Sequence, residues 1–224
     1  MSLKIERLLT QAQKKIKKGK FDDARKDFLS ILEISPMNQK AKHGLSKLDQ
    51  NIQIKPTQSQ LQLVIDMFSR GDSQNALKKL EELILQFPNE ASIFNIKGVI
   101  FKSLNNNNLA VECFNKAVSL KPDFAQSHFN LGAICQENNN LDEALNFYKK
   151  ALAIDPTYSN ANNNLGLIHL ERNNLRLAIS HFELAIQAQP SYSEAHNNLG
   201  AAFQVLNEFN KAIKCFETAV LISP

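Results

Sequence analysis

Apolar residues recur at helical spacing in short runs separated by polar turns. Residues 125–138 carry Leu131, Ile134 and Cys135, and residues 142–154 carry Leu145, Tyr148 and Leu152. Three-and-four spacing predicts an amphipathic helix in each run, with a stripe that must be buried against a neighbour. The turn between them, Asn138-Asn139-Asn140, has no apolar residue. The predicted unit is therefore a pair of helices, neither long enough to stand alone.

That unit repeats. Pro88, Pro122, Pro156, Pro190 and Pro224 lie 34 residues apart. Four further columns keep the same phase: Ala76, Ala110, Ala144, Ala178 and Ala212; Phe114, Tyr148, Phe182 and Phe216; Ala117, Ala151, Ala185 and Ala219; Gly98, Gly132, Gly166 and Gly200. Small residues beside an aromatic predict two helices crossing closely, with the ring filling the space next to the crossing. Gly71, Asn105, Asn139, Asn173 and Asn207, with Gly19 upstream, form a turn column. These are the residue types a left-handed helix C-cap prefers. Proline after the second helix prevents it from continuing.

The step from Pro36 to Pro88 exceeds one period by 18 residues. Residues 5–50 are expected to hold a first repeat plus a solvating helix carrying Ala41, Leu45 and Leu48. Residues 51–56 are expected to form a linker. Residues 57–224 form five repeats, 57–90, 91–124, 125–158, 159–192 and 193–224. The first two repeats of the chain are degenerate: Ala12 and Val64 stand where later repeats have glycine, and Ile31 and Leu83 replace the second alanine.

These columns resemble the tetratricopeptide repeat family over residues 5–50 and 57–224. The resemblance implies an all-α fold, an α-solenoid of antiparallel helix pairs forming a right-handed superhelix, with the first helix of each repeat on the concave side. Such surfaces bind partners.

Composition adds one feature. The chain has 25 asparagines against seven glycines. Three of them, Asn130, Asn164 and Asn198, sit mid-helix in successive repeats, each followed by Leu-Gly. Asparagine is a mediocre helix former, and its amide offers the donor and acceptor that a peptide group needs. Helices stacked about 10 Å apart would meet an extended chain advancing about 3.3 Å per residue at every third residue. This column resembles the asparagine ladder in the repeat domains of the O-linked N-acetylglucosamine transferase family and related bacterial repeat proteins, which hold extended polypeptide. Asn95, Asn163 and Asn197 lie beside the column and complete the candidate peptide-binding set. Upstream the column gives way to Ile96, Gln62 and Thr10. The three ladder repeats carry no lysine or arginine on this face, which argues against the terminal-carboxylate clamp of heat-shock chaperone adaptors.

Charge divides the chain. Residues 1–56 hold 13 Lys+Arg against 6 Asp+Glu, and residues 57–224 hold 13 against 16. A mildly acidic array argues against nucleic acid as partner. The basic run Lys14, Lys15, Lys17, Lys18 and Lys20 suits a helix C-terminus. Cys113, Cys135 and Cys215 make neither a disulfide framework nor a zinc site, and His128 and His196 are expected to pack rather than bind metal. No apolar run approaches a membrane span or a signal sequence, so the expected location is cytoplasmic, without a membrane partner. No phosphate loop, nucleophile elbow or HExxH occurs. No cofactor, metal or catalysis is expected of this chain.

The function expected is a protein-protein interaction module holding an extended or unstructured protein segment on its concave face. One alternative is the substrate-targeting arm of a larger glycosyltransferase or sulfotransferase, since the array reaches Pro224 without a polar capping helix. A third is a self-assembling scaffold, an end-to-end homodimer joined through Phe203, Phe216, Val220 and Leu221.

Overall fold

The structure, a computed structural model, describes residues 2–17, 20–51 and 55–223. Every regular element among the described residues is an α-helix, which makes the chain an all-α helical-repeat solenoid. It divides into two compact units, residues 1–56 and 57–224.

The first unit contains α1 (Ser2–Lys17), α2 (Phe21–Ile34) and α3 (Gln39–Asn51). Its core is Ala12, Ala24, Phe28, Ile31, Ala41 and Leu48. α1 begins three residues before the expected repeat start, and α3 runs one residue into the expected linker. Gly19, Lys18 and residues 52–54 of that linker lie outside the described residues. Of the basic run, Lys15 is tied to Asp27 of α2 at 2.7 Å.

The second unit is five hairpins: α4 (Gln58–Ser69) with α5 (Ser73–Gln86), α6 (Ala91–Ser103) with α7 (Asn107–Leu120), α8 (Ala125–Glu137) with α9 (Leu141–Ile154), α10 (Ser159–Glu171) with α11 (Leu175–Ala188), and α12 (Ser193–Val205) with α13 (Phe209–Ile222). Each first helix ends in the expected way. Asn105, Asn139, Asn173 and Asn207 have φ of 58°, 59°, 56° and 59°, and Gly71 has φ 83°. The next residue's N–H returns to a carbonyl five residues back, as from Asn140 to Cys135 at 2.8 Å, which closes the helix with a Schellman pairing.

Inside each hairpin the small and aromatic columns meet. A methyl built on Gly132 would stand 2.7 Å from the Tyr148 ring, and one on Gly98 2.6 Å from Phe114. Tyr148, Phe114 and Phe182 are wholly buried. The degenerate second repeat reaches the same closure with Val64 and Leu80, both at 0% exposure, so the bulk moves from one helix to the other.

Hairpins are joined through the proline turns. Pro122, Pro156 and Pro190 offer carbonyls to side chains of the following helix: His128 Nε2 donates to Pro122 at 2.9 Å, Asn162 Nδ2 to Pro156 at 3.3 Å, and His196 Nε2 to Pro190 at 3.1 Å. The two periodic histidines thus pin the turn between repeats. First helices of successive hairpins also approach one another, α4 to α6, α6 to α8 and α10 to α12, and form the inner layer of the stack. On the last helix Ile213, Phe216, Val220 and Leu221 line an open apolar hollow. Pro224 lies outside the described residues.

One pair in the stack is polar where its counterparts are not. Between α10 and α11, His169 and His181 stack with ring centroids 5.5 Å apart and 3° between planes. Equivalent positions hold Phe101 and Cys113, Cys135 and Phe147, and Phe203 and Cys215. Nδ1 of His181 donates to Asn162 Oδ1 at 3.1 Å, whereas Nδ1 of His169 is buried without a partner. Burial first, then Lys149 and Arg172, push His169 down; burial, His169 and Lys149 push His181 down. Both imidazoles are therefore neutral in the fold, and the unfolded chain takes up protons first. The stability this neutral burial carries is complete above the ordinary imidazole value of about 6.5, begins to fall below it, and is lost as pH drops on through the depressed values of the folded state. Urea midpoints at pH 7.5 and 5.5 are expected to differ, and the double variant His169→Phe/His181→Cys, which copies the pairs of other repeats, is expected to remove most of that difference. An unchanged pH dependence in the variant would assign it elsewhere.

Candidate functional site

The inner layer brings the asparagine column together with residues that complete it. Asn130 Nδ2 donates to Asn95 Oδ1 in the preceding repeat at 3.1 Å, and Ser127 Oγ donates to the same oxygen at 3.0 Å. Two repeats on, Asn198 Nδ2 donates to Asn163 Oδ1 at 2.9 Å. Between them the pattern changes, because Phe129 occupies the position equivalent to Asn95 and Asn163. Asn164 Nδ2 donates instead to the hydroxyl of Tyr148 at 2.9 Å, and that hydroxyl donates to Gln136 Oε1 at 2.7 Å.

Each of Asn130, Asn164 and Asn198 is half-buried and held through its amide nitrogen. None of the three carbonyl oxygens takes part in these bonds. Asn95 is half-buried and positions its neighbour. Asn163 requires a correction to the candidate set. It is at 0% exposure, with its amide directed to Asn198 and, at 3.4 Å, to Glu194 Oε1, and has no surface to offer a ligand. Asn197 is exposed at the edge of the layer.

Tyr148 was not among the sequence candidates, although the signal is present: it is the one hydroxylated residue in a column otherwise Phe114, Phe182 and Phe216. Burial pushes its phenol up to about 12, with the Asn164 hydrogen bond acting the other way. It therefore stays protonated, as the donation to Gln136 requires. Phe129 rests against it with ring centroids 5.6 Å apart, and against Tyr158 at 5.1 Å.

Charge on this face is carried by Glu137, Glu171 and Glu194, all exposed. The helices α8, α10 and α12 contain no lysine or arginine. A cation arrives from the preceding repeat, where Lys102 of α6 pairs with Glu137 at 2.8 Å. Among the described residues there is no group of three or more metal-ligating side chains, and no helix is long and apolar enough to cross a membrane. Cys113 is buried and Cys135 and Cys215 are half-buried, all as free thiols. Burial pushes each of them up, the direction of an inert thiol rather than a nucleophile.

A curated relative, DnaJ homolog subfamily C member 3 of Gallus gallus, is 22% identical over 119 residues, 53% of this chain and 23% of that protein. The chain thus spans about a quarter of that relative's length. Among solved structures, PilF of Pseudomonas aeruginosa superposes with a TM-score of 0.68 at 20% identity, covering 74% of this chain and 76% of that one. YrrB, a tetratricopeptide repeat protein described as having an unusual peptide-binding site, superposes at 0.55 with 17% identity, covering 80% and 92%. At these identities the likeness is one of fold. Family models described as tetratricopeptide repeats match residues 98–138, 125–158, 147–180 and 193–224, together just over half of the chain. With its glycine, alanine, aromatic and proline columns packed as described, the chain belongs to the tetratricopeptide repeat family.

Proposed function

We propose that this chain is a protein-interaction module that holds an extended polypeptide along the inner face of α8, α10 and α12. Asn130, Asn164 and Asn198 would engage the ligand backbone and Asn197 its flank, while Asn95, Asn163 and Tyr148 fix the amides in place. The observation that carries this reading is the tethering itself. Three amides one repeat apart are immobilised through their nitrogens, so the entropy of ordering them is spent in folding rather than in binding. An array of uncommitted carbonyl acceptors, each beside a remaining amide N–H, suits the N–H and C=O groups of an extended chain and is indifferent to its side chains. Repeat proteins use such inner surfaces for partners, and the peptide-binding site of the YrrB neighbour is compatible with that use.

The test is binding of a pool of unstructured peptides, by fluorescence polarisation, to the chain and to the triple variant Asn130→Ala/Asn164→Ala/Asn198→Ala. Three hydrogen-bonding sites worth about 1 kcal/mol each predict a loss of about 100-fold across the pool, irrespective of peptide sequence. Equal binding by a variant that remains folded by circular dichroism would remove the ladder from the mechanism.

A further inference from the structure

The inner face also carries an apolar column one helical turn beyond the ladder's flank: Ile65, Val99, Ala133, Leu167 and Ala201. A methyl group at Ala133, between the larger Val99 and Leu167, leaves a recess of about 360 Å³. Its walls are Lys102, Phe129, Gln136, Glu137, Tyr148 and Asn164, drawn from three successive repeats. The recess is walled on one side by the ladder amide Asn164, beside which a side chain of a bound polypeptide would enter.

The polar groups of the recess are sorted by the bonds already made. Tyr148 uses its hydroxyl both as donor to Gln136 and as acceptor from Asn164. Asn164 therefore has its carbonyl oxygen left for a ligand. Glu137 gives one oxygen to Lys102 and keeps the other, with half of its side chain exposed. Phe129 lines the same recess with its ring. Two acceptors, one of them anionic, beside an aromatic ring match a planar cation. A carboxylate would meet Glu137, with Glu171 and Glu194 on the same face. An aliphatic side chain would desolvate Asn164 and Glu137 without replacing their hydrogen bonds.

We propose that this recess binds an arginine side chain of the extended polypeptide, its guanidinium lying on Phe129 and donating to Glu137 and to one of the two lone pairs of Asn164 Oδ1, the other remaining for the ligand backbone. The inference rests on the backbone-binding reading above and adds to it a preference for a basic segment. Lysine is the weaker ligand because it has no plane to stack and no fork to span two acceptors. Lys102 competes for Glu137 and limits the affinity.

The experiment uses one unstructured alanine-serine peptide with a single central position occupied by Arg, Lys, citrulline, Ala or Glu, titrated by polarisation. Citrulline keeps the plane and removes the charge. The Arg peptide is expected to bind about tenfold tighter than the Ala, citrulline or Glu peptides, with Lys between. Ala133→Leu, which places at this position the residue its counterpart Leu167 already has, is expected to fold and to remove the Arg advantage while leaving the Ala peptide within about twofold. Lys102→Gln is expected to enlarge the Arg advantage roughly threefold by releasing Glu137. An Arg peptide that binds no better than citrulline, or an advantage that survives Ala133→Leu or fails to grow in Lys102→Gln, overturns the assignment. If in that case the triple asparagine variant still abolishes binding, the backbone reading stands and only the recess falls. If no peptide binds the wild-type chain, both fall.

Discussion

Replacing Phe182 by alanine is expected to cost about 3–5 kcal/mol, the usual range for emptying a fully buried aromatic position. The ring is at 0% exposure, packs in one cluster with Ala178, Leu199, Ala202 and Phe203, and lies against Gly166. Domains of this size are stable by about 5–15 kcal/mol in total, so a large part of the margin disappears. Each repeat contacts only its neighbours, so the loss should appear first in α10–α13, as a separate early transition in urea unfolding. Gly166→Ala gives the sharper test. Alone it gains about 1 kcal/mol of helix propensity but drives a methyl into the Phe182 ring, an overpacking cost of about 1–3 kcal/mol, and the net effect should be destabilising. On the Phe182→Ala background the obstruction is gone, and the same substitution should stabilise. A cycle in which the two changes simply add would mean that the glycine column is not set by the ring.

That reciprocity explains how much of the fold was legible in the sequence. A 34-residue period in proline, alanine, glycine and aromatic columns specifies the hairpin, its turn and its closest contact, because each demands a particular residue size or backbone angle. Asn105, Asn139, Asn173 and Asn207 occupy the left-handed region, where few other side chains are tolerated. Val64 with Leu80 could also have been read as a Gly-aromatic pair with its volume redistributed.

The candidate site was less legible, for a geometric reason. Successive residues on a helix point about 100° apart, so Asn163 and Asn164 are indistinguishable by composition, yet one is sealed beneath the next repeat and the other is half-buried with its amide on Tyr148. Lys102 belongs to the repeat before that of Asn130 and meets Glu137 only because neighbouring inner helices approach closely. Periodicity describes what repeats share, whereas the recess at Ala133 and the Tyr148 bridge are departures from it.

The Tyr148 bridge provides the second large expected effect. Tyr148→Phe restores the residue of the other aromatic positions but deprives Asn164 of its acceptor and Gln136 of its donor, both in a half-buried setting. Leaving such groups unpaired costs about 1–3 kcal/mol. Phe129→Asn alone removes the ring contacts to Tyr148 and Tyr158 and is expected to be destabilising as well. Combined, the two substitutions reproduce the arrangement that holds Asn130 on Asn95 and Asn198 on Asn163, since the new amide at position 129 can accept from Asn164. The double variant should therefore be more stable than the sum of the single losses by about 1 kcal/mol, measured as urea midpoints at constant slope. Affinity for backbone-bound peptides should fall in Tyr148→Phe, where Asn164 is untethered, and recover in the pair. Strict additivity, or a recovery of stability without a recovery of affinity, would mean that tethering the ladder amide is a packing device with no part in binding.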